Sequence, residues 1–178
     1  MIYLFLENGF EEVEAMAPVD ILRRAGVEVK TVGEGGRAVI SAHGVTVMAD
    51  LEESGVSLGN MEMAILPGGP GTANHEKSHV VCDALRYCAE NGRYLAAICA
   101  GPSVLGHLGL LHGHSAVCYP GYEKELDAEQ VLSDPVCVSG KVITARGAGV
   151  AVDFALKLVE VLCGMEKSQE IRKSIQCP

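Results

Sequence analysis

Three short, uninterrupted aliphatic runs constrain this chain more than any other feature: IYLFLE (2–7), MEMAILPGG (61–69) and YLAAI (94–98). A strand with one wet face alternates apolar and polar residues. A strand that is apolar at every position must be covered on both faces, as in a parallel sheet between helices. Aromatic residues make up 4% of the chain and Trp is absent, so the core must be built from Val, Leu, Ile and Ala, with 21 Gly serving tight turns and close approaches.

The segments between the runs carry helical signals. EEVEAMAPVDILRRAG (11–26) has acids in its first turn, Arg23 and Arg24 in its last, and Gly26 where a helix ends. Pro18 is expected to kink or restart it. Residues 78–91 put Val81, Leu85 and Cys88 on one face, closed by Gly92, and a helix is expected from just after Cys99 to about Leu111. A last helix over 149–163 faces the core with Ala151, Ala155, Leu158 and Leu162, with Gly164 as its cap. VEVKTVG (27–33) reads as a strand, and RAVISAHGVTVMAD (37–50) as a hairpin turning near His43-Gly44. AVCYPGYE (116–123) and VITARG (142–147) are further strand candidates. Strands alternating with helices predict an α/β sandwich with a mostly parallel sheet, one domain over 1–165, and a tail or short helix over 166–178.

Composition excludes several classes of function. A net charge of −9 with scattered Lys and Arg does not suit nucleic acid. No apolar stretch reaches the roughly 20 residues of a membrane span. MIYLFLENGFEEVE lacks the basic region of a signal peptide, so a cytoplasmic location is expected. Seven cysteines without a CxxC pair support neither a zinc ribbon nor a dithiol motif and read as reduced thiols. His75 and His79, four apart, and His112 and His114, flanking a glycine, lack matching carboxylate or thiolate spacing. They read as solvated histidines, and no metal is expected.

Cys99 is the exception among the thiols. Ala97-Ile98-Cys99-Ala100-Gly101 has the form of a nucleophile elbow, in which a side chain on a sharp strand-to-helix turn tolerates no bulk beside it. A thiol at a helix N-terminus is expected to have its pKa lowered, to roughly 3.5–7.5. Backbone N–H groups of Ala100 and of the PGGPG loop (67–71) are candidates to stabilise an oxyanion or an oxidised sulfur. In parallel sheets, function collects at the carboxyl ends of strands, and the acids after the first run lie there too. The pattern does not choose among Glu11, Glu12 and Glu14.

GFEEVEAMAPVDILRRAGVEV, ILPGGPG, AAICAGPSVL and TARGAGVAVDFALKLVEVL, in that order, resemble the ThiJ/PfpI superfamily, nearest its DJ-one deglycase branch, from about residue 2 to about 165. The resemblance implies a flavodoxin-like α/β/α sandwich and a homodimer, with Arg24 a candidate contact to the partner. It implies Cys99 as nucleophile, Glu14 as a protonated partner acid, and Gly69 and Ala100 as backbone donors supported by Gly68. Two positions depart from the family's pattern. The protease-like branch has His directly after the Cys, where this chain has Ala100, which argues against peptidase chemistry. Some deglycase members have a nearby His where this chain has Tyr119, so Glu14 is left as proton carrier and Tyr119 as pocket wall.

Two readings of function follow. In one, the chain is a cofactor-free enzyme that converts 2-oxoaldehydes, or the same groups on glycated proteins, to 2-hydroxy acids through a hemithioacetal on Cys99. In the other, Cys99 is oxidised to a sulfinate held by Gly69 and Ala100, and the protein is an oxidative-stress sensor or redox-regulated chaperone.

Overall fold

The computed structural model describes residues Met1–Pro178 throughout. In chain order its strands are β1 (Ile2–Leu6), β2 (Val29–Gly33), β3 (Ala38–Ile40), β4 (Thr46–Met48), β5 (Leu51–Glu52), β6 (Met63–Leu66), β7 (Tyr94–Ile98), β8 (Ser115–Ala116), β9 (Gln130–Val131), β10 (Val136–Ser139) and β11 (Val142–Ala145). The helices are α1 (Glu12–Arg24), α2 (His79–Glu90), α3 (Gly101–His107), α4 (Ala151–Cys163) and α5 (Met165–Ser174). Seven strands form one sheet in the order β10-β11-β7-β6-β1-β2-β5, parallel except for the β10 edge. This is the flavodoxin-like arrangement, with helices on both faces.

The aliphatic runs are continuous because each strand feeds two cores. Successive side chains of a strand point to opposite faces. In β1, Ile2, Leu4 and Leu6 join the core under α1 and α4, while Tyr3 and Phe5 join the core under α2 and α3. Ile65 and Ala64 divide in the same way in β6, and Ala96 and Leu95 in β7. Phe154 of α4, fully buried, fills the first core beside Ile21 and Leu22 of α1.

Local expectations and tertiary packing disagree at four places. α1 runs through Pro18 as one helix, because Pro18 lies on the buried face with Ala15, Val19 and Leu22, and packing against α4 holds it there. α3 stops at His107 rather than Leu111. Gly109 takes φ 71°, and its N–H and that of Leu110 bond back to Gly106 and Leu105, a glycine-terminated cap. Only Ala116 of the 116–123 stretch is strand, the end of β8, since Pro120 and Gly121 (φ 104°) turn the rest into a loop toward Cys99. The antiparallel β10 had no signal of its own in the sequence. The hairpin at His43-Gly44 forms as expected, with Gly44 at φ 82°, and residues 165–174 form α5, packed on α4 through Ile171.

From β1 the chain steps out to β2 and β5, then crosses back to β6 on the other side of β1. The carboxyl ends of β6 and β1 therefore flank the point where strand order reverses, the usual place for a site in such a sheet.

Candidate active site

Four adjacent strands, β11, β7, β6 and β1, deliver the site at their carboxyl ends. Cys99 follows β7, Gly68 and Gly69 follow β6, the acids follow β1, and Ala148 follows β11.

The elbow at Cys99 is held in an unusual backbone conformation. Its φ is 64°, the left-handed region that costs a non-glycine residue about 1–2 kcal/mol. The fold over-determines it: the Cys99 N–H donates to Ala145 O at 2.9 Å, and its carbonyl accepts from Tyr119 N at 2.9 Å. Small neighbours are required for steric reasons. A Cβ on Gly101 would sit 2.8 Å from Leu66 O, and one on Gly68 would sit 2.6 Å from Cys99 Cβ, 2.9 Å from its Sγ and 2.7 Å from Glu14 Oε2. Gly68→Ala is therefore expected to push the thiol and carboxyl apart and to slow any reaction that uses both roughly 10–100-fold. Alkylation of Cys99 by iodoacetamide, compared between the two proteins, checks the displacement.

The three acids that the sequence left open take three different tasks. Glu11 caps α1, its Oε2 accepting from Glu14 N at 2.8 Å. Glu12 turns to the hairpin and meets His43 Nδ1 at 2.9 Å. Glu14 points inward, 1% exposed, and its Oε2 accepts from Gly68 N at 2.9 Å. The Cys99 thiol and the Ala148 backbone also bear on this carboxyl. All five residues assigned to the site from the sequence thus meet in one place: Cys99 and Glu14 face each other, and the backbone of Gly69 and Ala100 lies on the sulfur.

Burial raises the Glu14 carboxyl to about 7, against the pull of its hydrogen bonds to Cys99 and Gly68. Burial and the facing Glu14 charge raise the Cys99 thiol to about 12, against the N–H groups of Ala100 and Gly69. The thiol lowered by a helix N-terminus, expected from the sequence, is thus corrected. α3 is only seven residues long, and desolvation outweighs its end. The two groups titrate as a pair. When the proton sits on Glu14, the repulsion vanishes and the carboxyl O–H donates to sulfur, which favours the thiolate. A buried pair holding one proton can pass it between its two members.

A cleft of about 440 Å³ is walled by Tyr119, Pro120, Arg146, Gly147 and Ala148, and Tyr119 N–H donates to the Cys99 carbonyl. The Tyr119 ring lies over Gly147, where a Cβ would come within 3.3 Å of it. Among the remaining histidines, His75 departs from the solvated reading. It is buried, with Nδ1 2.5 Å from Glu34 Oε1, while His112 pairs with Asp127 on the surface. Sequence reasoning missed Glu34 and the loop acids that bind histidines, since nothing local links residues dozens of positions apart.

The class of protein is a flavodoxin-like sandwich with a cysteine on a strained strand-to-helix elbow against a buried carboxyl. Residues 1–161 match the DJ-1/PfpI family, and the chain belongs to it. Protein dj-1beta of Drosophila melanogaster is 38% identical over 97% of this chain and 94% of its own length. The glutathione-independent glyoxalase DJR-1.2 of Caenorhabditis elegans is 33% identical over 93% of this chain and 89% of its own. Among solved structures, oxidized DJ-1 of Toxoplasma gondii superposes with a TM-score of 0.94 at 36% identity, covering 98% of this chain and 97% of that one.

Proposed function

We propose that this protein is a cofactor-free, glutathione-independent glyoxalase acting on 2-oxoaldehydes, with the same chemistry open to glycated amines and thiols. The observation that carries the reading is the buried Glu14 carboxyl, held by the Gly68 N–H against the Cys99 thiol. The similarity to the nematode glyoxalase supports it.

The Cys99 thiolate adds to the aldehyde carbon of methylglyoxal while Glu14 gives its proton to the aldehyde oxygen, forming a hemithioacetal. Glu14, now a carboxylate, removes the hydrogen left on that carbon, and the resulting enediol is reprotonated at the neighbouring carbon. The product is a lactoyl thioester on Cys99, which water cleaves to lactate and free thiol. Oxidation of one carbon is matched by reduction of its neighbour, so no external electron carrier enters. Gly69 and Ala100 stabilise charge at the reacting centre, and Gly68 holds Glu14 in place. Tyr119 takes no proton in this sequence.

The cleft admits a small carbonyl compound or a modified side chain at a protein surface. Val13 on α1 and Ile40, Val45 and Met48 on the hairpin are half or more exposed, an apolar patch that supports a homodimer. No helix is long and apolar enough to cross a membrane, and the net charge of −9 opposes binding to nucleic acid. A cytoplasmic location, without a metal or cofactor, completes the proposal.

The test is incubation with methylglyoxal in the absence of glutathione, following lactate. Lactate formation is expected, and its absence overturns the enzyme reading. A second reading is favoured by the lie of the Gly69 and Ala100 backbone on the sulfur, which also suits a sulfinate. In that case mild peroxide adds two oxygens to Cys99 alone. Even oxidation of all seven thiols counts against it.

A further inference from the structure

The glycine loop beside Cys99 continues into a 3-10 turn, Thr72–Lys77, and two consecutive residues of that turn are tied in different directions. His75 is held at the end of β2 by Glu34, and the pair is shielded from solvent, with side chains 1% and 3% exposed. Glu76 Oε1 lies 2.7 Å from Nδ1 of His107, the last residue of α3. The other ring nitrogen of His107, Nε2, lies 2.7 Å from Glu125 Oε2. Glu125 ends a second 3-10 turn, Glu123–Glu125, which closes the loop that starts at Tyr119. One imidazole therefore joins the glycine-loop segment, the elbow helix and the Tyr119 loop. The three meet around a cleft of about 180 Å³ walled by Gly69, Ser103 and Tyr122 as well as His107.

A neutral imidazole has one N–H and one lone pair, so against two carboxylates it can donate to only one. The imidazolium donates to both. The hydrogen bonds to Glu125 and Glu76 raise the pKa of His107, with partial desolvation opposing. These are the ionisable groups that bear on the ring from the two turns packed against α3. Lys77 on the first turn is instead bound to Asn74. At 41% exposure the ring exchanges protons directly with solvent.

We infer that His107 is a positioning residue. As imidazolium it holds the Tyr119 loop against the glycine-loop segment around Cys99. A group whose pKa is raised by folding gives its stabilisation at low pH and loses it as pH rises through the folded value. One tie is thus released on the alkaline side, and the loop from Tyr119 to Leu126 loosens while the buried His75–Glu34 pair keeps the glycine loop seated. For turnover the inference rests on the glyoxalase reading, with Cys99 as the reacting group. The clamp itself does not.

Hydrogen exchange separates the two. The amides of Tyr119, Tyr122 and Glu125 all donate hydrogen bonds within or at the base of the loop. In His107→Ala at pH 6 their protection factors are expected to fall roughly tenfold below those of the unmodified protein, with the central strands unchanged. At pH 9 the difference is expected to shrink to that of the single tie the neutral ring keeps, and titration of Glu14 and Cys99, common to both, cancels in the comparison. An equal loss at both pH values, or none at pH 6, overturns the inference. Glu125→Gln is expected to move the NMR titration midpoint of the His107 ring down, and an unchanged midpoint also overturns it. In steady-state kinetics, His107→Ala is expected to raise KM for methylglyoxal at pH 6 with little change in kcat. If methylglyoxal is not turned over, the exchange and NMR results still decide the clamp.

Discussion

Cys99→Ser is expected to bring lactate formation from methylglyoxal down by on the order of 10⁴-fold or more, to the level of buffer. The substitution is nearly isosteric and leaves the backbone at φ 64° in place, so the fold should be unaffected and thermal melting should shift little. The chemistry is what changes. A hydroxyl facing a carboxyl that holds its proton to about 7 cannot be ionised by it, because the alkoxide lies many pKa units above the thiolate. The buried Cys88 and Cys118 offer no substitute, since burial pushes them up to about 12 and about 11. Lactate production by Cys99→Ser at the rate of the unmodified protein would remove Cys99 from the reaction. Mass spectrometry of the quenched reaction adds a second readout, since the lactoyl thioester should appear on the peptide that contains Cys99 and on no other.

Glu14→Gln is the second large effect, and it has a pH signature. The amide keeps the volume of the carboxyl and its acceptor for Gly68 N–H, but it can neither give nor take a proton. Loss of general acid–base transfer lowers kcat by roughly 10²–10⁴-fold. In the unmodified protein the reactive form of the pair holds one proton, so kcat/KM should rise with pH through about 7, where Glu14 and Cys99 together lose their first proton. It should fall only toward about 12, where the second is lost. The residual activity of Glu14→Gln should lack the rise near 7. Stability runs the other way over the same range. A carboxyl raised by burial binds its proton more tightly when folded, so the protein loses stability as pH rises from the ordinary carboxylate range to about 7. The loss is on the order of 3 kcal/mol at most. Denaturant melts of Glu14→Gln between pH 4.5 and 7.5 should decline less steeply than those of the unmodified protein. Parallel curves for the two proteins would show that Glu14 is not the group titrating.

The elbow was legible because its causes are local. A strand, a single cysteine and flanking small residues lie within a few positions, whereas the steric need for Gly68 and Gly101 arises only where β6 and β7 lie side by side. The acid was legible only as a set of three. Which of Glu11, Glu12 and Glu14 turns inward depends on how α1 is rotated against α4, and that rotation is fixed by Ala15, Pro18, Val19 and Leu22 seeking the core. The same packing carries α1 straight through Pro18, where local rules predict a break. The 116–123 stretch failed as a strand for a related reason. Its apolar residues are used to line the approach to Cys99 and to reach Thr144, whose Oγ1 accepts from Val117 N, rather than to extend the sheet.

By itself, then, the sequence determined the layered architecture and the place of the cysteine elbow, since aliphatic runs, helix caps and the elbow act over neighbouring residues. Only the tertiary structure decided the chemistry available there. Solvent exclusion by four strands raises both the Glu14 carboxyl and the Cys99 thiol, reversing the direction expected for the thiol. Contacts between residues tens of positions apart give His75 a buried partner and His107 two carboxylates. Burial and distant neighbours set proton affinities, and neither is written in any short stretch of chain.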